Sequence, residues 1–237
     1  MTQDELKAQA ALKAQAALKE LAAEAAVAEV QDGMVVGLGT GSTAALAVAA
    51  LGRRVAAGLR VVGIPTSDRT AAQAIALGIV LTTLAAHPTI DLTIDGADEV
   101  HTGTLDLIKG LGGALLREKI VASSSRRMIV IVDGSKLVSA LGSVRLPIEI
   151  VPFGWQTTRA RLAAIMPDLV LRQRDGEPYV TDNGNYMLDA AGPIPDPAAL
   201  ATQLKAVTGV VDHGLFIGIA SRIIAATEGG LHILERT

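Results

Sequence analysis

The chain has 237 residues, half of them hydrophobic and only 2% aromatic, and its 24 acidic against 21 basic residues give a formal net charge of −3. That balance offers no basic field for a nucleic acid and no aromatic platform on which bases could stack, and with no cysteine the chain cannot form disulfides, thiolate metal sites or a cysteine nucleophile. No apolar run reaches the ~18 residues of a membrane span, and the Lys- and Glu-studded alanines near the N-terminus do not look like a signal peptide. We expect a soluble, cytoplasmic protein with neither nucleic-acid nor membrane partners.

The first 30 residues are dominated by helix formers. They carry a direct repeat, Ala8-Gln-Ala-Ala-Leu-Lys13 followed at once by Ala14-Gln-Ala-Ala-Leu-Lys19. A six-residue repeat drifts against a helical turn of about 3.6 residues, so it reads as a local lengthening of one helix. Gly33 ends that helix, and strands are expected at 34–38, 60–64, 79–81, 90–94 and 128–132. Helices are expected at 42–51, 68–77 and 114–124. Strands alternating with helices over short connections argue for an α/β fold, a Rossmann-like, mostly parallel sheet with helices on both faces.

After Lys136 the pattern changes. Strands are expected at 146–151 and 169–174, a helix at 156–165, a hairpin turn at Asp182-Asn-Gly-Asn185 and a further helix at 198–207. This is the pattern of a small α+β (ferredoxin-like) unit. The expected division is therefore a catalytic domain of residues 1–143 and 210–237, with the tail returning to the first sheet, and a small domain of residues 144–209.

Chemistry gathers at strand ends. Gly37-Leu-Gly-Thr-Gly-Ser-Thr43 joins the first strand to a helix N-terminus, where backbone N–H groups and hydroxyls favour a phosphate. It has no Gly-Lys pair for a nucleoside triphosphate loop. Ser42 stands where a dinucleotide fingerprint needs glycine, and the next strand ends in Ile-Pro-Thr-Ser without an acid for a ribose. A phosphate monoester suits the loop better than NAD. Ile94-Asp-Gly-Ala-Asp-Glu99 follows a buried strand and places Asp95 and Asp98 at its C-terminal end, where open α/β sheets bind ligands. Lys109 and the glycines 110, 112 and 113 come next, then Arg117-Glu118-Lys119. Asp95 and Asp98 could hold a hard cation or bind sugar hydroxyls directly, and we prefer the hydroxyls because Lys109 and the glycine run follow. Spacing alone leaves Glu118 open between a site residue and a surface ion pair, and a lone Lys136 reads as a surface charge. The 182–185 turn receives no chemistry.

Taken in order, these motifs resemble the type A ribose-5-phosphate isomerases. The matching pieces are Gly37 to Thr43, Ile64-Pro-Thr-Ser-Asp68, Ile94 to Glu99, Lys109-Gly-x-Gly-Gly, Arg117-Glu118-Lys119, Asp133-x-Ser-Lys136, Thr181-Asp-Asn-Gly-Asn185 and Gly214-Leu-Phe216. The resemblance runs from about residue 18 to the C-terminus. It implies interconversion of D-ribose 5-phosphate and D-ribulose 5-phosphate through an enediolate, in the non-oxidative branch of the pentose phosphate pathway, with no cofactor and no metal. It further implies Glu118 as general base, and Asp95, Asp98 and Lys109 as catalytic groups for ring opening and the developing oxyanion. Substrate binding is implied for Thr40, Gly41, Ser42, Thr43, Gly96, Ala97, Gly110, Gly112, Lys136 and, counting back from Gly33, Lys19; Lys13 or Lys7 could replace Lys19 if the repeat shifts the register. A small-molecule sugar phosphate is thus the expected partner, and a homodimer or homotetramer the expected assembly. Leu111 departs from the resemblance, standing where glycine is common, and one residue near Gly103 is surplus. Two competing readings remain, an amino-sugar phosphate isomerase/deaminase on a related scaffold and a non-catalytic sugar-phosphate sensor.

Overall fold

The computed structural model describes residues 2–236; within the first helix it does not describe the side chains at positions 3–5, 7, 8 and 10–12. A seven-stranded sheet forms the centre. Its strands are β1 (Val35–Leu38), β2 (Val62–Pro65), β3 (Val80–Leu81), β4 (Leu92–Asp95), β5 (Met128–Asp133), β6 (Arg222–Thr227) and β7 (Gly230–Glu235), in the spatial order β7-β6-β5-β4-β1-β2-β3. All pairings are parallel except β6 with β7, an antiparallel hairpin that closes one edge. From β1 the chain goes outward through β2 and β3, then crosses back to β4 on the other side. The strand order therefore reverses between β1 and β4, and a crevice opens beyond their C-terminal ends.

The strands are short and apolar throughout because both faces are covered. Side chains alternate between the two faces. Val36, Leu38, Leu92, Ile94, Ile129, Ile131, Ile224 and Ala226 pack under α1 (Gln3–Ala28) and α2 (Ser42–Ala56), with Ala74 of α3 (Asp68–Ala76) in the same cluster. Their neighbours Met128, Val130, Val132, Ile223 and Ala225 face the other way, toward Ala122 of α4 (Leu115–Ser123) and a second layer of short strands. That layer pairs Leu215–Phe216, Leu107–Ile108, Glu99–His101 and Leu137–Val138. Residue order does not reveal it, since strands of two or three residues show no periodicity.

The small unit has a β-α-β-β-α-β succession. Leu146–Ile150, α5 (Trp155–Leu162), Asp168–Leu171, Tyr186–Ala191, α6 (Pro197–Lys205) and Val210–His213 follow one another, and the antiparallel sheet orders its strands second, third, first, fourth. That is the ferredoxin-like arrangement. Its own core gathers Ile148, Leu162, Leu188 and Leu204. One expectation is corrected here. Residues 210–213 pair with Leu146–Ile150 and belong to the small sheet, and the chain rejoins the main sheet only at Arg222. A strand expected at 169–174 ends at Leu171, and the next residues form a separate hairpin, Gln173–Arg174 with Glu177–Pro178.

Candidate active site

The crevice between β1 and β4 is built first by glycine. A Cβ on Gly37 would lie 1.9 Å from Thr93 Oγ1, and one on Gly39 would lie 2.2 Å from Asp95 Oδ1 and 2.6 Å from its Cα. Two of the three glycines in the first loop thus let β4 lie close against it. Only Gly41, at φ 120°, serves the turn into α2, where it occupies the N-cap position without any side-chain cap. The first N–H groups of α2 are left for a ligand, with the partial positive charge of the helix terminus behind them.

Asp95 ends β4 with no exposed surface. Its Oδ1 accepts the N–H of Thr40 at 3.1 Å and of Gly96 at 2.7 Å, and its Oδ2 lies 3.0 Å from Lys109 Nζ. Lys109, 2% exposed, also donates to the Gly96 carbonyl at 2.5 Å and stands 3.4 Å from Glu118 Oε2. Glu118 itself is in the first turn of α4 and is 3% exposed. One ammonium is therefore shared by two carboxylates in a dry place, and it also sits 5.5 Å from the centre of the Phe216 ring.

The titration of the three groups follows from this packing. Burial opposes the lysine's charge, but Asp95, Glu118 and Asp98 together outweigh it and hold the ammonium above the ordinary lysine range. Burial also raises both carboxyls. For Asp95 it is opposed by Lys109 and the two amides. For Glu118 it is opposed by Lys109 but reinforced by the charges of Asp95 and Asp98, and the carboxyl is pushed up to about 8. A carboxyl poised near neutral pH beside a fixed cation has the properties of a general base.

A cavity of about 130 Å³ opens above this triad. The expected binding positions Thr40, Gly41, Ser42, Thr43, Gly96, Ala97, Gly110, Gly112, Lys136 and Lys19 all line it, as do Asp98, Lys109 and Glu118. Asp95 does not: both its oxygens are engaged below the cavity floor. Thr40 lines it with its polar atoms turned away. Its N–H goes to Asp95, and its hydroxyl donates to Ser67 Oγ at 2.8 Å, which donates to Thr70 Oγ1 at 3.0 Å, which donates to the Gly39 carbonyl at 3.0 Å. This hydroxyl chain ties the loop to the start of α3. Its only trace in the sequence is the N-cap spacing of Ser67 and Thr70.

Asp98 keeps one oxygen on the N–H of Leu111 at 3.0 Å. Leu111 does not adopt a positive φ and its side chain points to solvent, 44% exposed, so the leucine causes no strain here. The surrounding glycines divide their work. Gly110 and Gly113 take φ values of 108° and 83°, and Cβ atoms there would meet Leu115 and the Tyr179 hydroxyl; a Cβ on Gly112 would meet nothing within 4 Å.

At the other end of the cavity two lysines face the uncapped start of α2. Lys19 Nζ donates to Ser42 Oγ at 3.3 Å. Six residues turn a helix about 120° short of two full turns, so Lys13 cannot share this face and is exposed; the side chain of Lys7 lies outside the described residues. Lys136 ends a single 3₁₀ turn (Gly134–Lys136) whose N-cap, Asp133, accepts the N–H of Ser135 at 3.1 Å. Gln15, one turn before Lys19, reaches the other oxygen of Asp133 at 3.3 Å. Among the described residues there is no cluster of three or more His, Cys, Asp or Glu that could hold a metal ion, and no helix is long and apolar enough to cross a membrane.

One buried carboxylate lies outside the residues expected from the sequence. Glu149 sits in the apolar strand Leu146–Ile150 with no exposure, and its Oε1 accepts from Thr181 Oγ1, Asn183 Nδ2 and Asn185 Nδ2 at 2.9, 3.2 and 2.9 Å. A glutamate in the middle of a strand reading Leu-Pro-Ile-Glu-Ile is the available signal, because a buried charge demands partners.

Residues 62–230 match the family model for ribose 5-phosphate isomerase A (phosphoriboisomerase A). The chain is 59% identical to the ribose-5-phosphate isomerase A of Gloeobacter violaceus, over 90% of this chain and 94% of that one. It is also similar to the solved ribose 5-phosphate isomerase of Plasmodium falciparum, with a TM-score of 0.90 at 42% identity, covering 94% of this chain and 99% of that one. A D-ribose-5-phosphate isomerase solved in complex with phospho-erythronic acid matches with a TM-score of 0.88 at 38% identity, covering 92% and 98%.

Proposed function

The chain belongs to the ribose 5-phosphate isomerase A family, and from that premise we propose how its residues divide the work of the reaction. The protein is an aldose–ketose isomerase interconverting D-ribose 5-phosphate and D-ribulose 5-phosphate. The observation that carries the residue assignment is the buried Lys109 ammonium between the carboxylates of Asp95 and Glu118, at the floor of a cavity whose far end is cationic.

The phosphate sits at that far end, held by Lys19, Lys136, the Ser42 and Thr43 hydroxyls and the N–H groups opening α2. This grip is remote from the reacting carbons and orients them over Glu118. Asp98, which lines the cavity, assists ring opening by exchanging a proton with the sugar's ring and anomeric oxygens. In the open-chain aldose the ionised Glu118 takes the proton from C2. The C2–H electron pair becomes the C1–C2 double bond, and the aldehyde π pair moves onto O1 as an enediolate. Lys109 faces that developing charge; its hold on Glu118 relaxes as the carboxylate is neutralised, and a donor turns to the oxyanion. After a proton passes from O2 to O1, Glu118 returns its proton to C1 and the carbonyl stands at C2. Asp95 acts from beneath, holding Lys109 charged and aimed, and Thr40 keeps the loop in shape.

The ammonium already occupies the position between carboxylates in which a divalent cation would be attracted, which supports a metal-independent reaction. We further propose a homodimer or homotetramer, a cytoplasmic location, and a small domain of residues 144–209 together with the strand Val210–His213. The functional test is ketose formation from ribose 5-phosphate by EDTA-treated protein. Ribulose 5-phosphate without added metal supports this reading, and binding of the sugar phosphate without ketose would sink it in favour of a sensor.

A further inference from the structure

Glu118 can act as a base only where α4 holds it, and no N-cap side chain fixes the start of that helix. The helix follows the glycine turn at 110–113, and its N-cap, Ala114, makes no side-chain cap. Arg117 lies directly before Glu118. Its Nε donates to Asn183 Oδ1 at 3.0 Å, its Nη1 to Asp68 Oδ1 at 2.6 Å and its Nη2 to the Asp182 carbonyl at 2.8 Å. The Asp182 carboxylate lies 3.7 Å from Nη1 and also accepts the N–H of Asp68 at 2.9 Å. One planar cation thus joins the first turn of α3, the first turn of α4 and the 182–185 turn of the small unit.

The 182–185 turn is rigid enough to serve as an anchor. The buried Glu149 carboxylate holds its two asparagine side chains and Thr181, and Thr181 Oγ1 accepts the N–H groups of Asn183 and Asn185 at 3.3 and 3.2 Å. The turn therefore has a task beyond reversing the chain. We infer that Arg117 is a positioning residue for Glu118, fixing the uncapped first turn of α4 against Asp68 and the Asp182 and Asn183 turn. This rests on Glu118 being the general base. A lysine at 117 keeps the charge but not the fork that meets three partners at fixed angles.

The test is steady-state kinetics of Arg117→Lys, Arg117→Ala and Asn183→Ala from roughly pH 6 to 10, alongside Glu118→Gln and thermal melts of each protein. Loss of positioning lowers kcat of Arg117→Lys by about 10- to 100-fold, while KM stays within roughly threefold because the phosphate grip is untouched. The acid limb of kcat/KM moves to lower pH, since a displaced Glu118 is better hydrated and its carboxyl drops toward the ordinary range. Asn183→Ala moves both readouts the same way by less. Should Arg117→Ala fail to fold, the lysine and Asn183 variants decide. Unchanged kcat and pH profile in folded Arg117→Lys, with Glu118→Gln inactive, would leave the base in place and reduce Arg117 to a surface ion pair. Turnover retained by Glu118→Gln would remove the base, and the inference about Arg117 with it.

Discussion

Replacing Glu118 by glutamine should abolish turnover and, at alkaline pH, make the protein more stable relative to wild type. The folded-state pKa of Glu118 is raised to about 8 from 4.5 by burial, against the pull of Lys109. Between those values the folded protein binds more protons than the unfolded chain, so the wild type loses stability as pH rises through this window. Below about 4.5 the penalty is absent, and above about 8 it is complete. At ~1.4 kcal/mol per pKa unit it amounts to roughly 5 kcal/mol. Glutamine does not titrate and escapes the penalty, in which the attraction of Lys109, 3.4 Å away, is already counted. The stability of Glu118→Gln relative to wild type should therefore rise by about 4 kcal/mol between pH 5 and pH 9. Urea unfolding of both proteins at the two pH values, at one protein concentration, measures it by linear extrapolation. A difference that does not change with pH, or that falls as pH rises, would refute the claim that burial dominates the Glu118 carboxyl.

Two other sets of substitutions address the phosphate end and the scaffold. Lys136→Ala and Lys19→Ala should each raise KM for ribose 5-phosphate by about tenfold or more, the size of a lost charge-assisted contact, with smaller changes in kcat; Lys13→Ala should leave both constants alone, and any KM effect there would contradict the helix register. Gly39→Ala forces a Cβ within 2.6 Å of the Asp95 backbone and should cost about 3 kcal/mol together with activity. Gly112→Ala meets nothing within 4 Å and should melt close to wild type; equal melting of the two variants would contradict the packing described for the first loop.

The central sheet and the position of the site could be read from residue order because parallel strands buried on both faces leave continuous apolar runs that end abruptly in charge. Met128-Ile-Val-Ile-Val132 ends in this way at Asp133, and Leu92-Thr-Ile94 at Asp95. The same logic placed Asp95, Asp98 and Lys109 at one crevice. It could not say that Asp95 would be spent entirely on Lys109 and two amides, since that depends on Gly39 letting β4 approach. Nor could it settle Glu118, whose neighbours Arg117 and Lys119 look alike in sequence but point to different partners, Asp182 and Asn183 for one, Asp212 for the other. The layer of two- and three-residue strands and the placement of residues 210–213 were invisible for want of periodicity. Family resemblance named the 182–185 turn without giving it a task; the buried Glu149 and the Arg117 fork supply one.

The central claim is a proton moved between C2 and C1 by Glu118. The most direct measurement is the conversion of ribose 5-phosphate in D₂O by wild type and Glu118→Gln, with the product's C1 examined by NMR. The account predicts ribulose 5-phosphate from the wild type, with deuterium at C1 to the extent that the proton on Glu118 exchanges with solvent before its return, and no ketose from the variant. Ketose formed by Glu118→Gln at the wild-type rate would contradict it.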